Sequence, residues 1–326
     1  MATLAPSNYP NGFLTGVTVK EVPITVSNPG KVFWLNNSSV LAPGGIGGSD
    51  ANPGTYTKPF STLAGALANT TVLASSGSII CVMPGHAESV TSATSLALSK
   101  AGIAIVGLGF GTMRPTFTLD TANTATITVS ANNVSIQNCV FVANFLAVAA
   151  LFTLTTAKAF ALDNCEIRDT TASLNFINLI STSTTTAAND GLSVTRCQYH
   201  GLATSGAVKF VSFLGTHDRV TIADNYYTSL TTGTGAVFPV ATTKVVTGLL
   251  MQRNIFNCVN AAATATALLI TLDTTTNTGV ISQNYITTLD VTTELLVTAS
   301  SGFKYFDNRY AGAADTSGYL LPVADA

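Results

Sequence analysis

Charged side chains are scarce in this chain, since only 9% of its 326 residues are Asp, Glu, Lys or Arg. The formal net charge is −2, so no basic field would attract nucleic acid, and no nucleic-acid partner is expected. No apolar run approaches the ~18 residues that a membrane-spanning helix needs, so no membrane contact is expected. Little charge beside 47% hydrophobic residues predicts a neutral, hydroxyl-rich surface that is typical of stacked β structure.

Histidine and cysteine are also few. The three histidines and five cysteines show no metal-ligand spacing, so no metal and no cofactor is expected. An odd number of cysteines, placed in predicted strands, indicates reduced thiols in a chain made in a cytoplasm. The opening MetAlaThrLeuAlaPro lacks the basic start and apolar core of a signal peptide, which agrees with that expectation.

A short sequence motif, called the phrase below, recurs seven times along the chain: two apolar residues separated by one other residue, then polar residues, then Cys or Asn. Successive copies stand 24 to 32 residues apart. The phrase ends at Cys139, Cys165, Cys197, Asn225, Asn254, Asn284 and Asn308. A period near 28 residues that drifts by a few positions is typical of stacked repeats with loops of variable length.

The apolar positions of the phrase alternate with polar ones, which predicts strands with one buried face. Like residues in successive copies favour a right-handed parallel β-helix, with coils about 4.8 Å apart, over a meander of hairpins. The Cys/Asn column then lies at a bend, where Asn amides can bond from coil to coil and tolerate the left-handed conformation of a tight bend. The column formed by Tyr199, Tyr227 and Phe256 is expected to face the core; facing outward, it would offer a platform for sugars.

The ends of the chain do not repeat, which predicts four regions. Residues 1–45 form an N-terminal arm, and residues 46–78 form a turn-rich segment with a capping helix that opens at Pro59 and ends before Ser75. Residues 79–310 form the β-helix, and residues 311–326 form a C-terminal tail. The fold class is therefore all-β, with a short helix that closes the open end of the coil.

Motifs that suggest catalysis have plainer interpretations. Asp163, Glu166 and Asp169 form the densest acidic patch, but no second carboxylate stacks on Asp163 or Glu166 in a neighbouring coil, as acid–base chemistry on sugars would need. HisAspArg at 217–219 is expected in a solvated turn. GlyLeuGlyPheGly at 107–111 is a glycine-rich turn without a following helix, so it is not a dinucleotide loop. No catalytic residue is predicted.

Several stretches outside the repeat resemble a family of β-helical proteins encoded among the head genes of tailed bacteriophages. The matching segments are SerAsnTyrProAsnGly (7–12), GlyGlySerAspAlaAsnProGlyThrTyr (47–56), LysProPheSerThrLeuAla (58–64), ValMetProGlyHisAlaGlu (82–88), ValGlyLeuGlyPheGlyThrMetArgProThrPhe (106–117) and SerGlyTyrLeuLeuProValAlaAspAla (317–326). The resemblance implies a decoration or cement protein on the outer capsid surface of the virion, made in the bacterial host's cytoplasm. It implies a homotrimer whose partners are the major capsid protein and its own copies.

On this basis the chain is expected to be a structural protein and not an enzyme. The contact with the capsid or a neighbouring subunit is predicted at Phe33, Trp34 and Leu35, because an aromatic arm beside turns resembles an interface anchor. In the alternative, Trp34 plugs the first coil. The main alternative function is a trimeric tailspike or adhesin that binds or cleaves host surface polysaccharide, which would make a surface glycan the partner.

Overall fold

The computed structural model shows an all-β coil of parallel strands. It describes residues 18–19, 22–23, 31–39, 41–42, 44–203, 208–230, 237–258, 270–271, 276–288, 302–311 and 319–320. Most of the predicted arm and tail, residues 1–30 and 312–326, therefore lies outside the described residues, apart from the short strand pair β1 (Thr18–Val19) and β2 (Val22–Pro23) and one strand near the end.

Two long sheets and a shorter one form the walls of the coil. The first sheet contains, in spatial order, β3 (Val32–Leu35), β4 (Ile79–Val82), β7 (Ala104–Gly107), β10 (Ser135–Gln137), β13 (Ala161–Asp163), β16 (Ser193–Thr195), β20 (Thr221–Ala223), β24 (Leu249–Gln252), β27 (Gly279–Ser282) and β29 (Phe303–Phe306). The second contains β5 (Ala87–Ser89), β8 (Thr116–Leu119), β11 (Val140–Ala143), β14 (Glu166–Asp169), β17 (Gln198–His200), β21 (Tyr226–Ser229), β25 (Ile255–Cys258), β28 (Tyr285–Thr288), β30 (Arg309–Ala311) and β31 (Tyr319–Leu320). The third contains β6 (Leu96–Leu98), β9 (Ile127–Val129), β12 (Phe152–Leu154), β15 (Asn178–Ser181) and β18 (Lys209–Ser212).

Two short parallel pairs complete the described strands: β19 (His217–Asp218) with β23 (Val246–Thr247), and β22 (Phe238–Pro239) with β26 (Ile270–Thr271). Neighbours within the three large sheets pair in parallel, except that β31 runs antiparallel to β30. The predicted parallel β-helix is therefore confirmed. Its cause is visible in the register, because Ile136, Leu162 and Val194 stack directly on one another and are all buried.

The aromatic column of the second sheet faces inward. Tyr199, Tyr227 and Phe256 occupy one register position in successive coils and are fully buried, which confirms the prediction that they form core. The Tyr199 and Tyr227 rings lie 5.2 Å apart between centroids. Such stacking lets each coil add its rings to those of the coil below, so a continuous core forms along the whole described stack.

The capping helix α1 is shorter than predicted, spanning Leu63–Ala68. Thr62 is its N-cap, because the Thr62 hydroxyl accepts a hydrogen bond from the Gly65 N–H at 2.9 Å. The Asp50 carboxylate accepts hydrogen bonds from the backbone N–H groups of Ser61 and Thr62. These two donors are therefore paired although both residues precede the helix. Phe60 precedes the helix but is fully buried beneath it.

Candidate functional site

The first strand of the coil is β3, which falls inside the predicted arm. Phe33 and Leu35 of β3 are buried in the core, and Phe33 lies 6.1 Å from the Phe60 ring, centroid to centroid. The prediction that Phe33 and Leu35 contact the capsid is therefore corrected: alternation along β3 turns both side chains inward, where no partner can reach them. Trp34 faces the other way, is half-buried, and meets Tyr56 edge-on at 4.8 Å.

A loop covers the outer edge of β3. The Trp34 N–H donates to the Gly54 carbonyl, the Phe60 N–H donates to the Trp34 carbonyl, and the Asn36 N–H donates to the Phe60 carbonyl, at 2.8 to 2.9 Å. The coil boundary predicted at residue 79 thus moves to Val32. Because its backbone groups are bonded, this edge does not offer an open template for strand addition.

Glu88 joins this end of the coil to α1. Its carboxylate accepts the Leu63 N–H at 2.9 Å, in the first turn of α1, and lies 3.2 Å from Nε2 of His86. The Asn37 N–H donates to Nδ1 of His86, so the proton of the neutral imidazole is on Nε2 and points at Glu88. His86 is buried, and through Glu88 the pair ties the turn after β4 to α1.

Phe110 is the most exposed large apolar side chain of the described residues, with 89% of its surface accessible. It lies in the loop between β7 and β8, between Gly109 and Gly111, whose φ angles are +92° and +58°. Met113, also exposed, follows in a 3₁₀ turn that spans Gly111–Met113. We call residues 109–113 the Phe110 loop.

Arg114 anchors the Phe110 loop to the coils that follow it. Its guanidinium donates to the Asn164 carbonyl at 2.7 Å and to the Cys139 carbonyl at 3.2 Å. It also pairs with the Glu166 carboxylate at 3.3 Å. The loop therefore presents Phe110 from a fixed base. The sequence predicts a glycine-rich turn here and gives Phe110 no role in contacts; the signal that points to such a role is a large apolar residue between two glycines, where no strand can bury it.

The recurring Cys/Asn residues form a bonded column inside the bend. The amide oxygens of Asn254, Asn284 and Asn308 each accept both the backbone N–H and the Nδ2–H of the Asn one coil earlier, at 2.9 to 3.1 Å. The left-handed conformation, however, belongs to the residue before the column, not to the column as expected. These residues are Asn138, Asn164, Arg196, Asp224, Arg253, Gln283 and Asp307, with φ between 49° and 59°. The column residue itself points its side chain into the core, because all seven column residues are buried.

The left-handed residues carry a ladder of charges on the outside of the bend. Arg253 donates to both Asp224 carboxylate oxygens, at 2.7 and 2.8 Å. These hydrogen bonds and the positive charge of Arg253 lower the pKa of Asp224. The same bonds and the negative charge of Asp224 raise the pKa of Arg253. Arg196 instead donates to Asp163, through Nε at 2.9 Å. Burial opposes ionisation of Asp163, but its bonds to Arg196, Thr195 and Gln137 outweigh burial and lower its pKa. Paired in this way, Asp163 is held ionised.

The acidic patch of the sequence separates in space. Asp163 faces the bend, Glu166 pairs with Arg114, and Asp169 is buried. Burial raises the pKa of Asp169, although its carboxylate accepts bonds from the Tyr199 hydroxyl at 2.8 Å and from the Leu202 and Phe176 N–H groups. Asp169 therefore organises a turn.

His217 is not in a solvated turn, as the sequence suggested, but buried in β19. Its Nε2 lies 3.0 Å from the Thr182 hydroxyl, and burial lowers its pKa.

Among the described residues, no group of three His, Cys, Asp or Glu side chains is placed to hold a metal ion. No helix within the described ranges has the length and apolar character to cross a membrane.

No protein-family model and no curated protein sequence matches the chain. One matching solved structure is that of a rhamnogalacturonan lyase, with a TM-score of 0.48 and 14% identity, over 79% of this chain and 74% of that chain. This match contradicts the prediction that the chain is not an enzyme, because the matched protein bears the name of an enzyme. The exclusion of enzymatic activity is therefore withdrawn. At this level the likeness concerns the fold and assigns no reaction to the chain.

Proposed function

We propose that the chain is a structural component of a tailed-bacteriophage virion that attaches, as a trimer, to the outer surface of the capsid. The observation that carries the proposal is Phe110, exposed to 89% on a loop that Arg114 holds in place. Covering an exposed apolar ring removes apolar surface from water, which favours association, and a few buried aromatic anchors carry most of the binding energy of protein interfaces. The resemblance of segments 47–56 and 106–117 to phage head proteins supplies the partner.

The position of the Phe110 loop supports this assignment. A Cβ at Gly85 would lie 3.3 Å from the Met113 methyl group and 3.7 Å from Ser38, so the loop lies beside the turn that follows β3. Trp34 of β3 keeps its place as a proposed contact, because its ring lies on the outer side of the sheet. Docking through this end would leave the rest of the coil to project from the shell, where its hydroxyl-rich surface meets solvent.

The proposal is tested by measuring how tightly the Phe110→Ala variant binds to purified capsids that lack the protein. The variant is expected to bind at least about tenfold more weakly than the unaltered protein, since anchors of this kind contribute about 2 kcal/mol or more. Phe306→Ala is the matched control, because Phe306 is also exposed, at 57%, but lies in β29 at the far end of the stack. Sedimentation of capsids with bound protein measures both affinities.

Two results would contradict the proposal in different ways. If the unaltered protein sediments with tails or with neither particle part, attachment to the capsid is wrong. If it binds capsids and Phe110→Ala binds equally well, the Phe110 loop is wrong as the contact. Analytical ultracentrifugation of the free protein tests the trimer separately.

A further inference from the structure

An outward column of aromatic and apolar side chains runs along the second sheet, one residue after the Cys/Asn column. Tyr226, Ile255 and Tyr285 pair in register on β21, β25 and β28, and their side chains are 37%, 41% and 42% exposed. Coils lie about 4.8 Å apart, so the two tyrosines stand roughly 10 Å apart on one face. Arg309 on β30 continues the column beyond Tyr285.

Polar side chains form a second bank beside this column. Arg253, Gln283 and Asp307 are successive left-handed residues of the bend and project outward. Together with Tyr285 and Arg309 they line a cleft of about 490 Å³. Arg253 is held by both oxygens of Asp224, whereas within the described part of the chain the Arg309 guanidinium has no ion-pair partner.

These groups match the chemistry of an acidic sugar. The face of an exposed tyrosine ring packs against the C–H face of a pyranose, as flat apolar surfaces do. A guanidinium without an ion-pair partner binds a carboxylate through two parallel hydrogen bonds. The Gln283 amide and the Asp307 carboxylate supply acceptors, and Gln283 also a donor, for ring hydroxyls.

We propose that the cleft between Tyr285, Arg309 and Gln283 binds a polysaccharide that contains uronic acid residues. The sugar chain runs along the column, with Tyr285 and Tyr226 beneath successive parts of it and Arg309 on a carboxylate. This site is independent of the proposed attachment to the capsid, which uses the opposite end of the stack. It gives the chain a second partner on the surface of a cell or its capsule.

Isothermal titration calorimetry with a galacturonic acid oligomer, and with a neutral glucose oligomer of the same length, tests the site. The acidic oligomer is expected to bind and the neutral one to bind at least about tenfold more weakly. Tyr285→Ala and Arg309→Gln are each expected to weaken binding of the acidic oligomer by about tenfold or more. Tyr56→Ala and Arg219→Gln are matched controls, since both side chains are exposed away from the cleft, and both should bind as the unaltered protein does.

Each remaining outcome overturns the proposal. No heat of binding with the acidic oligomer at millimolar concentration excludes a uronate site. Equal binding of both oligomers shows that Arg309 does not bind a carboxylate of the sugar. Unchanged affinity of Tyr285→Ala, with its thermal unfolding unaltered, places any sugar elsewhere on the surface. Binding of single-stranded DNA in place of the sugar would make the cleft a polyanion site. Capsid binding by these variants stays a separate readout, so failure here leaves the Phe110 loop untouched.

Discussion

Asn225 donates two hydrogen bonds to one atom of Asn254, through its backbone N–H at 3.0 Å and its Nδ2 at 2.9 Å. The Asn254 amide nitrogen in turn donates to the Ile222 carbonyl and to Asn284. Every polar atom of the Asn254 side chain is thus bonded inside a column from which water is excluded. The column therefore ties successive coils together through buried bonds.

Asn254→Ala should destabilise the coil by about 2–4 kcal/mol, because it removes the one buried oxygen that accepts the Asn225 backbone N–H and one of the two Nδ2 hydrogens of Asn225. Chemical denaturation followed by circular dichroism measures the free energy of unfolding. Asn123→Ala is the control, since Asn123 is exposed, and should change it by less than about 0.5 kcal/mol. Similar losses in both variants would show that the column adds no stability of its own.

Cys197 marks the point where the column changes from thiol to amide. Its N–H already donates to the Asn225 amide oxygen at 2.9 Å, and its Sγ lies 3.6 Å from the Leu162 carbonyl. Cys197→Asn should therefore be tolerated and should stabilise the protein by up to about 1 kcal/mol. The new amide nitrogen could donate one hydrogen bond to the Leu162 carbonyl and one to the Asn225 amide oxygen. Differential scanning calorimetry checks the direction of the change.

Val194→Asn is the contrasting variant, because Val194 is buried in the same coil among apolar neighbours. It should cost several kcal/mol, since the amide meets no partner there. If Cys197→Asn lowers the stability as much as Val194→Asn does, the column does not accept an amide at this coil, and the difference between its two halves reflects available space.

Asp169 should make stability depend on pH. Burial raises the pKa of its carboxyl above that of an aspartate in the unfolded chain, so the folded state holds the proton more tightly. The contribution of this group is therefore fully present below the unfolded pKa and is lost as pH rises through the folded pKa. Asp169→Asn removes that dependence. As the pH rises from mildly acidic to neutral, the free energy of unfolding of the unaltered protein should fall relative to that of the variant. A difference between the two that stays constant across this range contradicts the assignment.

Asp224 should behave in the opposite way. The hydrogen bonds and charge of Arg253 lower its pKa, so its contribution is present above the unfolded pKa and is lost as pH falls through the folded one. Arg253→Gln should raise the pKa of Asp224 toward the usual aspartate value. Carbon-13 NMR of the labelled carboxyl follows the titration, with Arg219→Gln as a control that leaves Asp224 unchanged. No shift in Arg253→Gln would mean that the bidentate pair does not persist in solution.

Periodicity alone predicted the coil, its register and the inward face of Tyr199, because these follow from a repeat whose columns can be aligned. It could not separate the left-handed residue from the column residue, since Asn138 and Asn225 have the same preference for bends; only the direction of the side chain distinguishes them. The prediction for Phe33 and Leu35 was wrong because β3 pairs with β4 at a spacing of 47 residues (79−32=47), outside the period of the repeat, with the cap between them in sequence. The Phe110 loop was missed because its flanking glycines were interpreted only as a turn. The outward tyrosines were missed because the repeat shows which column faces the core but not what covers the residue beside it.

The two adjacent glycines of the cap, Gly47 and Gly48, give a test of how tightly it closes the coil. A Cβ on Gly48 would overlap the Asn36 carbonyl oxygen and lie 2.9 Å from that of Phe60, at the point where the loop bonds to the edge of β3. A Cβ on Gly47 would meet nothing within 4 Å. Gly48→Ala should therefore cost about 2–4 kcal/mol, because the obstructing atoms are backbone that cannot turn aside, whereas Gly47→Ala should stay within about 0.5 kcal/mol. Hydrogen exchange should show lost protection at the Trp34 and Asn36 amides in Gly48→Ala alone; if both variants keep these amides protected, the cap does not close the coil through this contact.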